Sequence, residues 1–196
     1  MSFKYLLYSI LLLACSLNAQ QLTPSTEVYL EKFGNRSKTI VPGLMIYGVK
    51  WYSSYDIVVG EFGPPTGRVE FSDNVFALLY GKRHILIFEK NELKEVVIML
   101  MGSTLNFSIT GGSRILEHPF FDAKEISIEP GIKFGTTFDE IKKKLKGKID
   151  HFDPAQSKDW KVTYVDEYAG VTLGVIQVYR PEGISNEIGA IDIRGN

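Results

Sequence analysis

Two short segments of the chain have the apolar spacing of an amphipathic helix. Thr137 and Glu140 have the spacing of a capping box, in which a hydroxyl and a carboxylate satisfy free backbone N–H groups at a helix start. Ser53 and Asp56 occupy the corresponding places earlier in the chain. The apolar faces comprise Tyr55, Val58 and Phe62 in the first segment and Phe138, Ile141 and Leu145 in the second. The pattern therefore predicts two amphipathic helices.

Runs of β-branched and aromatic residues follow each predicted helix and are typical of strands. They are Val69–Phe71, Val75–Tyr80, Ile85–Phe88 and Leu93–Leu100 after the first helix, and Trp160–Tyr164, Val171–Tyr179 and Ile188–Ile193 after the second. A further helix is predicted between Pro24 and Gly34, and a further strand at Leu105–Ile109. Each helix is thus expected to lead into an antiparallel meander.

The chain also contains two sequence elements that each occur twice, the first of them at an offset of 83 residues. Ser53-Ser54-Tyr55-Asp56 recurs as Thr136-Thr137-Phe138-Asp139, and Pro42-Gly43-Leu44 returns as Pro130-Gly131-Ile132. Such self-similarity indicates a tandem duplication. The predicted fold class is therefore α+β, with two tandem repeats that are each a helix followed by an antiparallel β-meander. The predicted boundaries are a signal peptide at 1–19, an N-terminal segment at 20–39, repeat 1 at 40–104, a connector at 105–124 and repeat 2 at 125–196.

The predicted unit resembles the SmpA/OmlA group of small envelope lipoproteins, and two units in tandem resemble the β-lactamase-inhibitor-protein fold, called BLIP-like. The matching helix starts are Ser54, Tyr55 and Asp56 in the first unit and Thr137, Phe138 and Asp139 in the second. The first helix stop, Phe62-Gly63-Pro64, also matches, whereas the second unit lacks the proline. The resemblance implies a binding module that presents a sheet surface to protein partners.

The first nineteen residues have the layout of a signal peptide. Lys4 provides a positive charge, an apolar run extends from Tyr5 to Ala14, and Ala19 precedes a cleavage position at Gln20. The run is too short to span a bilayer, so no transmembrane segment is expected in the mature chain. A second interpretation is open, because Leu12-Leu13-Ala14-Cys15 resembles a lipobox in which Cys15 becomes lipidated. We therefore expect an exported protein, periplasmic or extracellular, that is either secreted in soluble form or lipid-anchored to the outer membrane.

Composition excludes several classes of protein. Cys15 is the only cysteine, so the mature chain has no internal disulfide and no cysteine-based zinc site. The formal net charge of the full chain is −1, which does not favour nucleic-acid binding. The three histidines, His84, His118 and His151, stand in separate contexts without metal-ligand spacing. The sequence thus predicts neither a metal site nor a cofactor.

Lysines crowd the second predicted helix and its end. Lys142, Lys143 and Lys146 belong to a basic outer face that favours an anionic partner, although lysines near a helix C-terminus are also typical of a solvated face. Aromatic residues on the predicted sheets, namely Tyr80, Trp160 and Tyr164, are the other binding candidates.

No set of residues matches a catalytic motif, so the sequence predicts a non-enzymatic protein that works by binding. Its expected partner is an envelope protein or an anionic envelope surface. Two alternatives stay open: a small envelope hydrolase with an acid/base site in the sheet, and a structural envelope lipoprotein.

Overall fold

The computed structural model describes residues 20–21, 36–100, 117–145, 148–150 and 160–195. This part of the chain is mostly β-structure, arranged in two sheets with two short helices. None of the helices in these ranges is both long enough and apolar enough to cross a membrane.

The helices and strands have the following bounds. The helices are α1 Tyr55–Phe62 and α2 Phe138–Lys144. The strands are β1 Gln20–Gln21, β2 Thr39–Val41, β3 Met45–Ile46, β4 Val49–Lys50, β5 Gly67–Ser72, β6 Val75–Tyr80, β7 His84–Glu89, β8 Glu92–Met99, β9 Ser127–Ile128, β10 Ile132–Lys133, β11 Lys148–Asp150, β12 Trp160–Tyr168, β13 Val171–Arg180 and β14 Gly183–Gly195.

The larger sheet has nine strands in the order β1-β5-β6-β7-β8-β14-β13-β12-β11. Its centre is the antiparallel pairing of β8 with β14, which runs from Ala190 opposite Met99 to Arg194 opposite Glu95. We call this pairing the seam, because it joins strands from the first half of the chain to strands from the second. The smaller sheet has the order β10-β9-β2-β3-β4, and its β2 and β9 pair in parallel.

The predicted α+β fold of two tandem helix-plus-meander repeats is wrong. The two helices in the described residues have only eight and seven residues, and this part of the chain is mostly β. Strands from both halves pair with each other in both sheets, so the hydrogen bonding is continuous across the predicted repeat boundary. The predicted strand runs do lie in strands, because β-branched and aromatic side chains suit a pleated, buried surface.

The predicted capping box of α2 is confirmed. The backbone N–H of Thr137 donates to Glu140 Oε2 at 2.8 Å, and the backbone N–H of Glu140 donates to Thr137 Oγ1 at 3.3 Å. The start predicted at Ser53 is shifted by one residue, because the N-cap of α1 is Ser54, whose side chain makes no capping bond. Gly63 ends α1 with φ of 72°, a conformation that glycine adopts without strain. The predicted helix between Pro24 and Gly34 and the predicted strand at Leu105–Ile109 lie outside the described residues.

One face of the large sheet packs against the helices and the small sheet. Both predicted helix faces contribute to this core, in which Val58, Phe62, Ile141 and Leu145 are buried and Tyr55 and Phe138 are partly buried. The large-sheet members of the core include Leu78, Tyr80, Leu86, Phe88, Val96, Ile98, Leu173 and Ile193, and the small-sheet members include Ile40, Ile46, Ile128 and Ile132. Residues on the other face of the large sheet, such as Ala77, Ile87 and Val97, are buried as well, so the central strands are buried on both faces.

Candidate functional site

The basic face predicted on α2 is exposed. Lys142, Lys143 and Lys144 all lie on the solvent side of the helix, and Lys142 Nζ is 5.5 Å from the ring centroid of Phe138. They occupy the last turn, where the helix dipole favours positive charge. The backbone N–H of Asp139 is 3.3 Å from Asn186 Oδ1, which places the start of α2 beside the first part of β14. Lys146 lies outside the described residues.

Tyr80 belongs to the core and not to a binding surface. Its side chain is fully buried, and its hydroxyl donates a hydrogen bond of 2.9 Å to the carbonyl of Gly63 at the end of α1. The prediction of Tyr80 as a binding residue is therefore wrong. Residues Phe76 to Tyr80 of β6 are buried on both faces of the sheet, so an aromatic residue in this strand has no solvent-facing position.

The other predicted aromatic candidates lie in β12. Trp160 pairs with Val178 of β13, and Tyr164 pairs with Gly174. The structure describes their backbone and not their side chains, so their role as binding residues stays a prediction. Cys15, the alternative lipidation site, also lies outside the described residues.

Among the side chains that the structure describes, three large apolar ones are exposed. The exposed fractions are 56% for Leu44, 53% for Ile57 and 38% for Tyr52. Leu44 lies in the turn between β2 and β3, Tyr52 follows β4, and Ile57 lies on the outer side of α1. The backbone N–H of Trp51, next to Tyr52, donates to the carbonyl of Leu44 at 3.0 Å, which ties two of these segments together. We call Leu44, Tyr52 and Ile57 the exposed apolar surface.

Tyr52 is held in a conformation that tyrosine rarely adopts. Its φ is 63°, in the left-handed region. Its backbone N–H donates to the carbonyl of Leu93 at 3.3 Å, and Lys94 Nζ is 4.5 Å from the centroid of its ring. Strained residues of this kind occur where the surrounding structure fixes them, and they are common at functional sites. The ring is therefore presented to solvent by a fixed backbone.

Glycines allow the neighbouring strands to approach this surface closely. A Cβ atom on Gly195, at the end of β14, would lie 2.5 Å from the hydroxyl oxygen of Tyr52. A Cβ atom on Gly43, beside Leu44, would lie 2.2 Å from the carbonyl oxygen of Ala169 in the turn between β12 and β13. Tyr52 thus lies against the end of β14, and the turn carrying Leu44 lies against the turn between β12 and β13. The start of α2 lies beside the other end of β14.

A second polar cluster is buried between the sheets. Tyr47 Oη is 2.6 Å from His84 Nε2, and His118 Nδ1 accepts hydrogen bonds from the backbone N–H groups of Phe120 and Phe121 at 3.2 and 3.3 Å. Burial lowers the pKa of His84 to about 3, with the charge of His118 acting in the same direction, and burial lowers the pKa of His118 to about 4. Both rings are fully buried, so this cluster belongs to the core and not to a solvent-exposed site.

Asp122 connects the turn that carries His118 to the turn between β6 and β7. Its carboxylate accepts hydrogen bonds from the backbone N–H of His118 at 2.7 Å and from that of Lys82 at 2.9 Å. Burial raises the pKa of the Asp122 carboxyl, and the two donors oppose this shift. A Cβ atom on Gly81 would lie 2.4 Å from Asp122 Oδ2, so the contact requires glycine at this position.

A third group of polar side chains lies at the seam of the large sheet. Glu95 and Asp192 are fully buried, and Arg194 is nearly so. Arg194 Nη2 is 2.6 Å from Asp192 Oδ2, and Arg194 Nε is 3.6 Å from Glu95 Oε2. We call these three residues the carboxyl cluster. Sequence reasoning missed it, although charged residues in paired strands at neighbouring positions are a signal that could have revealed it.

The described ranges contain no group of three or more His, Cys, Asp or Glu side chains placed to hold a metal ion. His151 lies outside these ranges.

Neither a family model, a curated protein nor a solved structure matches this chain. The resemblance to the BLIP-like and SmpA/OmlA groups therefore stays a prediction, and the function has to be argued from the site itself.

Proposed function

We propose that this protein is an exported binding protein of the bacterial envelope that docks a protein partner on its exposed apolar surface. The observation that carries this proposal is the exposure of Leu44, Tyr52 and Ile57 to solvent. Removal of large apolar side chains from water stabilises a complex, and tyrosine is among the residues that contribute most to binding energy at interfaces.

The rigidity of this surface supports the proposal. Tyr52 has a left-handed backbone and a hydrogen bond to Leu93, and Gly195 allows β14 to lie directly against its hydroxyl. A side chain that is already fixed loses little conformational freedom on binding, which favours affinity.

Site-specific photo-crosslinking in the native envelope tests the proposal. A photoreactive residue at position 44 or 57 should trap the same protein, whereas one at the exposed position 129 of the small-sheet side should not. Tyr52→Asn should reduce the yield at least tenfold, because it removes the ring while asparagine tolerates a positive φ. Equal trapping from all three positions, or a yield unchanged by Tyr52→Asn, would contradict the proposal.

Export itself is tested by mass spectrometry of the protein from its native host. The expected mature N-terminus is Gln20 or its pyroglutamate, or else a lipidated Cys15. An intact Met1 would contradict export to the envelope, whereas the proposed docking surface would still be tested by the crosslinking experiment.

The hydrolase alternative has its best support in the two carboxyl groups of Glu95 and Asp192, since acid/base catalysis often uses such a pair. Both side chains are fully buried, however, and a substrate would need contact with them. We therefore do not assign them a catalytic role.

A further inference from the structure

The carboxyl cluster places two acids and one base across the seam. Glu95 of β8 lies directly opposite Arg194 of β14, and Asp192 lies two residues earlier on the same face of β14. Arg194 is within 2.6 Å of Asp192 and 3.6 Å of Glu95, measured between side-chain nitrogen and oxygen atoms. A single guanidinium thus serves two carboxyl groups that have no contact with solvent.

The charges in this cluster balance only if one carboxyl group is protonated. One guanidinium neutralises one carboxylate, and a second buried carboxylate would remain uncompensated, which strongly destabilises the fold. Two carboxyl groups in contact then titrate as a pair and hold one proton between them.

The residues that pair directly with Glu95, Asp192 and Arg194 across the neighbouring strands carry no further charge. Ile87 of β7 lies opposite Glu95, Val97 of β8 and Gly174 of β13 lie opposite Asp192, and Thr172 of β13 lies opposite Arg194. Burial raises the pKa of Glu95 well above its usual range, the charge of Asp192 raises it further, and Arg194 opposes both effects. Burial likewise raises the pKa of Asp192.

We propose that Glu95 and Asp192 share one proton beside Arg194, and that this proton holds the seam of the large sheet together. Loss of the proton leaves a net negative charge between β8 and β14. The fold is therefore sensitive to alkaline pH at its centre, where the two halves of the chain meet.

The direction of the pH effect follows from proton binding. An unfolded chain releases the proton of Glu95 near the usual glutamate pKa of about 4.5, whereas the folded chain keeps it to a higher pH. The shared proton stabilises the fold fully at pH values below the pKa of Glu95 in the unfolded chain. This stabilisation is lost as the pH rises to the pKa of the carboxyl pair in the folded chain, and at higher pH the proton has no further effect on stability.

Urea unfolding of the mature chain between about pH 5 and about pH 9 tests the proposal. Relative to that of Glu95→Gln, the unfolding equilibrium constant of the wild type should rise by up to about tenfold per pH unit within this range, because one additional proton is linked to folding. Glu95→Gln keeps the size of the side chain and a hydrogen-bond donor for Asp192 but cannot titrate. Its unfolding equilibrium constant should therefore lack this contribution to the pH dependence. Glu92→Gln, at an exposed position of the same strand, is the matched control and should retain the wild-type slope.

A second measurement applies even if Glu95→Gln does not fold. The infrared spectrum of the wild type at about pH 7 should show the carbonyl band of a protonated carboxylic acid, since ordinary carboxyl groups are ionised there. Amide hydrogen exchange in β8 and β14 should accelerate at alkaline pH beyond the change seen in β6. The absence of the acid band, or a slope in Glu95→Gln equal to that of the wild type, would overturn the proposal.

Discussion

The hydroxyl oxygen of Tyr47 lies 2.6 Å from Nε2 of His84, and both side chains are fully buried between the two sheets. The rings of Phe120 and Phe121 meet Tyr47 edge to face at centroid distances of 5.2 and 5.5 Å. The hydrogen bond thus connects the small sheet to β7 within an aromatic core.

Tyr47→Phe removes the hydroxyl and leaves a nitrogen of His84 without its partner. We expect a loss of about 1–3 kcal/mol in the free energy of unfolding, which is the usual cost of an unsatisfied buried polar group. Urea unfolding at neutral pH measures it, and Tyr55→Phe, at a partly buried position of α1, serves as the control. An unchanged stability would show that the Tyr47–His84 bond contributes nothing.

The same cluster predicts sensitivity to acid. His84 and His118 have pKa values of about 3 and about 4 in the fold, below the usual value of 6.5. The unfolded chain takes up these protons first, so the stabilisation is complete above about pH 6.5 and decreases as pH falls towards the folded values. Between pH 7 and pH 4, the free energy of unfolding should therefore fall more steeply with decreasing pH in the wild type than in His84→Gln. Identical slopes would contradict the burial of a neutral His84.

Gly43 allows close contact between the turn carrying Leu44 and the carbonyl oxygen of Ala169. Gly43→Ala would place a Cβ atom 2.2 Å from the carbonyl oxygen of Ala169, at a φ of 73°. We expect a loss of at least about 1–2 kcal/mol, since both the contact and the left-handed backbone are unfavourable for alanine.

Gly60→Ala is the matched control for this substitution. Gly60 lies in α1 and has no atom within 4 Å of an added Cβ, so alanine should stabilise the protein by about 0.5–1 kcal/mol. Thermal unfolding of both variants distinguishes the two effects. A stabilising Gly43→Ala would mean that the turn carrying Leu44 is not held against Ala169.

The two sides of α2 should differ in their contribution to stability. Ile141 is buried, and Ile141→Ala should cost about 2–5 kcal/mol through lost packing and a cavity. Lys143 is exposed, and Lys143→Ala should change stability by no more than about 0.5 kcal/mol. Comparable losses for both would show that the helix face is assigned wrongly.

The basic face of α2 predicts attraction to an anionic envelope surface. Flotation with phosphatidylglycerol vesicles should show binding at 0.1 M salt that is lost at 1 M, because the Debye length falls from about 10 to about 3 Å. Replacement of Lys142 and Lys143 by Glu should abolish the binding, whereas the same change at the exposed Lys50 and Lys124 should not. Binding that is equal for both pairs or independent of salt would leave these lysines as a solvated helix face.

Local elements of the fold could be predicted from the sequence, and their assembly could not. The capping box at Thr137 and the apolar runs of β6 and β7 carry strong local signals, and both are in the structure. The parallel pairing of β2 with β9 involves strands of three and two residues, which are too short to show periodicity. The capping signals mark where the helices begin, but they do not show that the helices are short and that strands from both halves share each sheet.

The candidate sites were harder to predict for a similar reason. Ile191-Asp192-Ile193-Arg194 alternates as a half-exposed strand would, yet both faces of β14 are buried there. Tyr52 gives no sequence signal of its left-handed backbone, because tyrosine seldom adopts it. Exposure and strain of this kind arise from contacts that only the complete fold supplies.

The seam also has a consequence for the order of events during biosynthesis. β8 is made long before β14, and until β14 exists one edge of an apolar strand has unpaired backbone groups. Open strand edges of this type promote association with other chains, and pairings between distant residues form slowly. A nascent chain that ends after β8 would therefore be prone to aggregation. We expect this protein to depend on a chaperone that binds the nascent chain until β14 has been added.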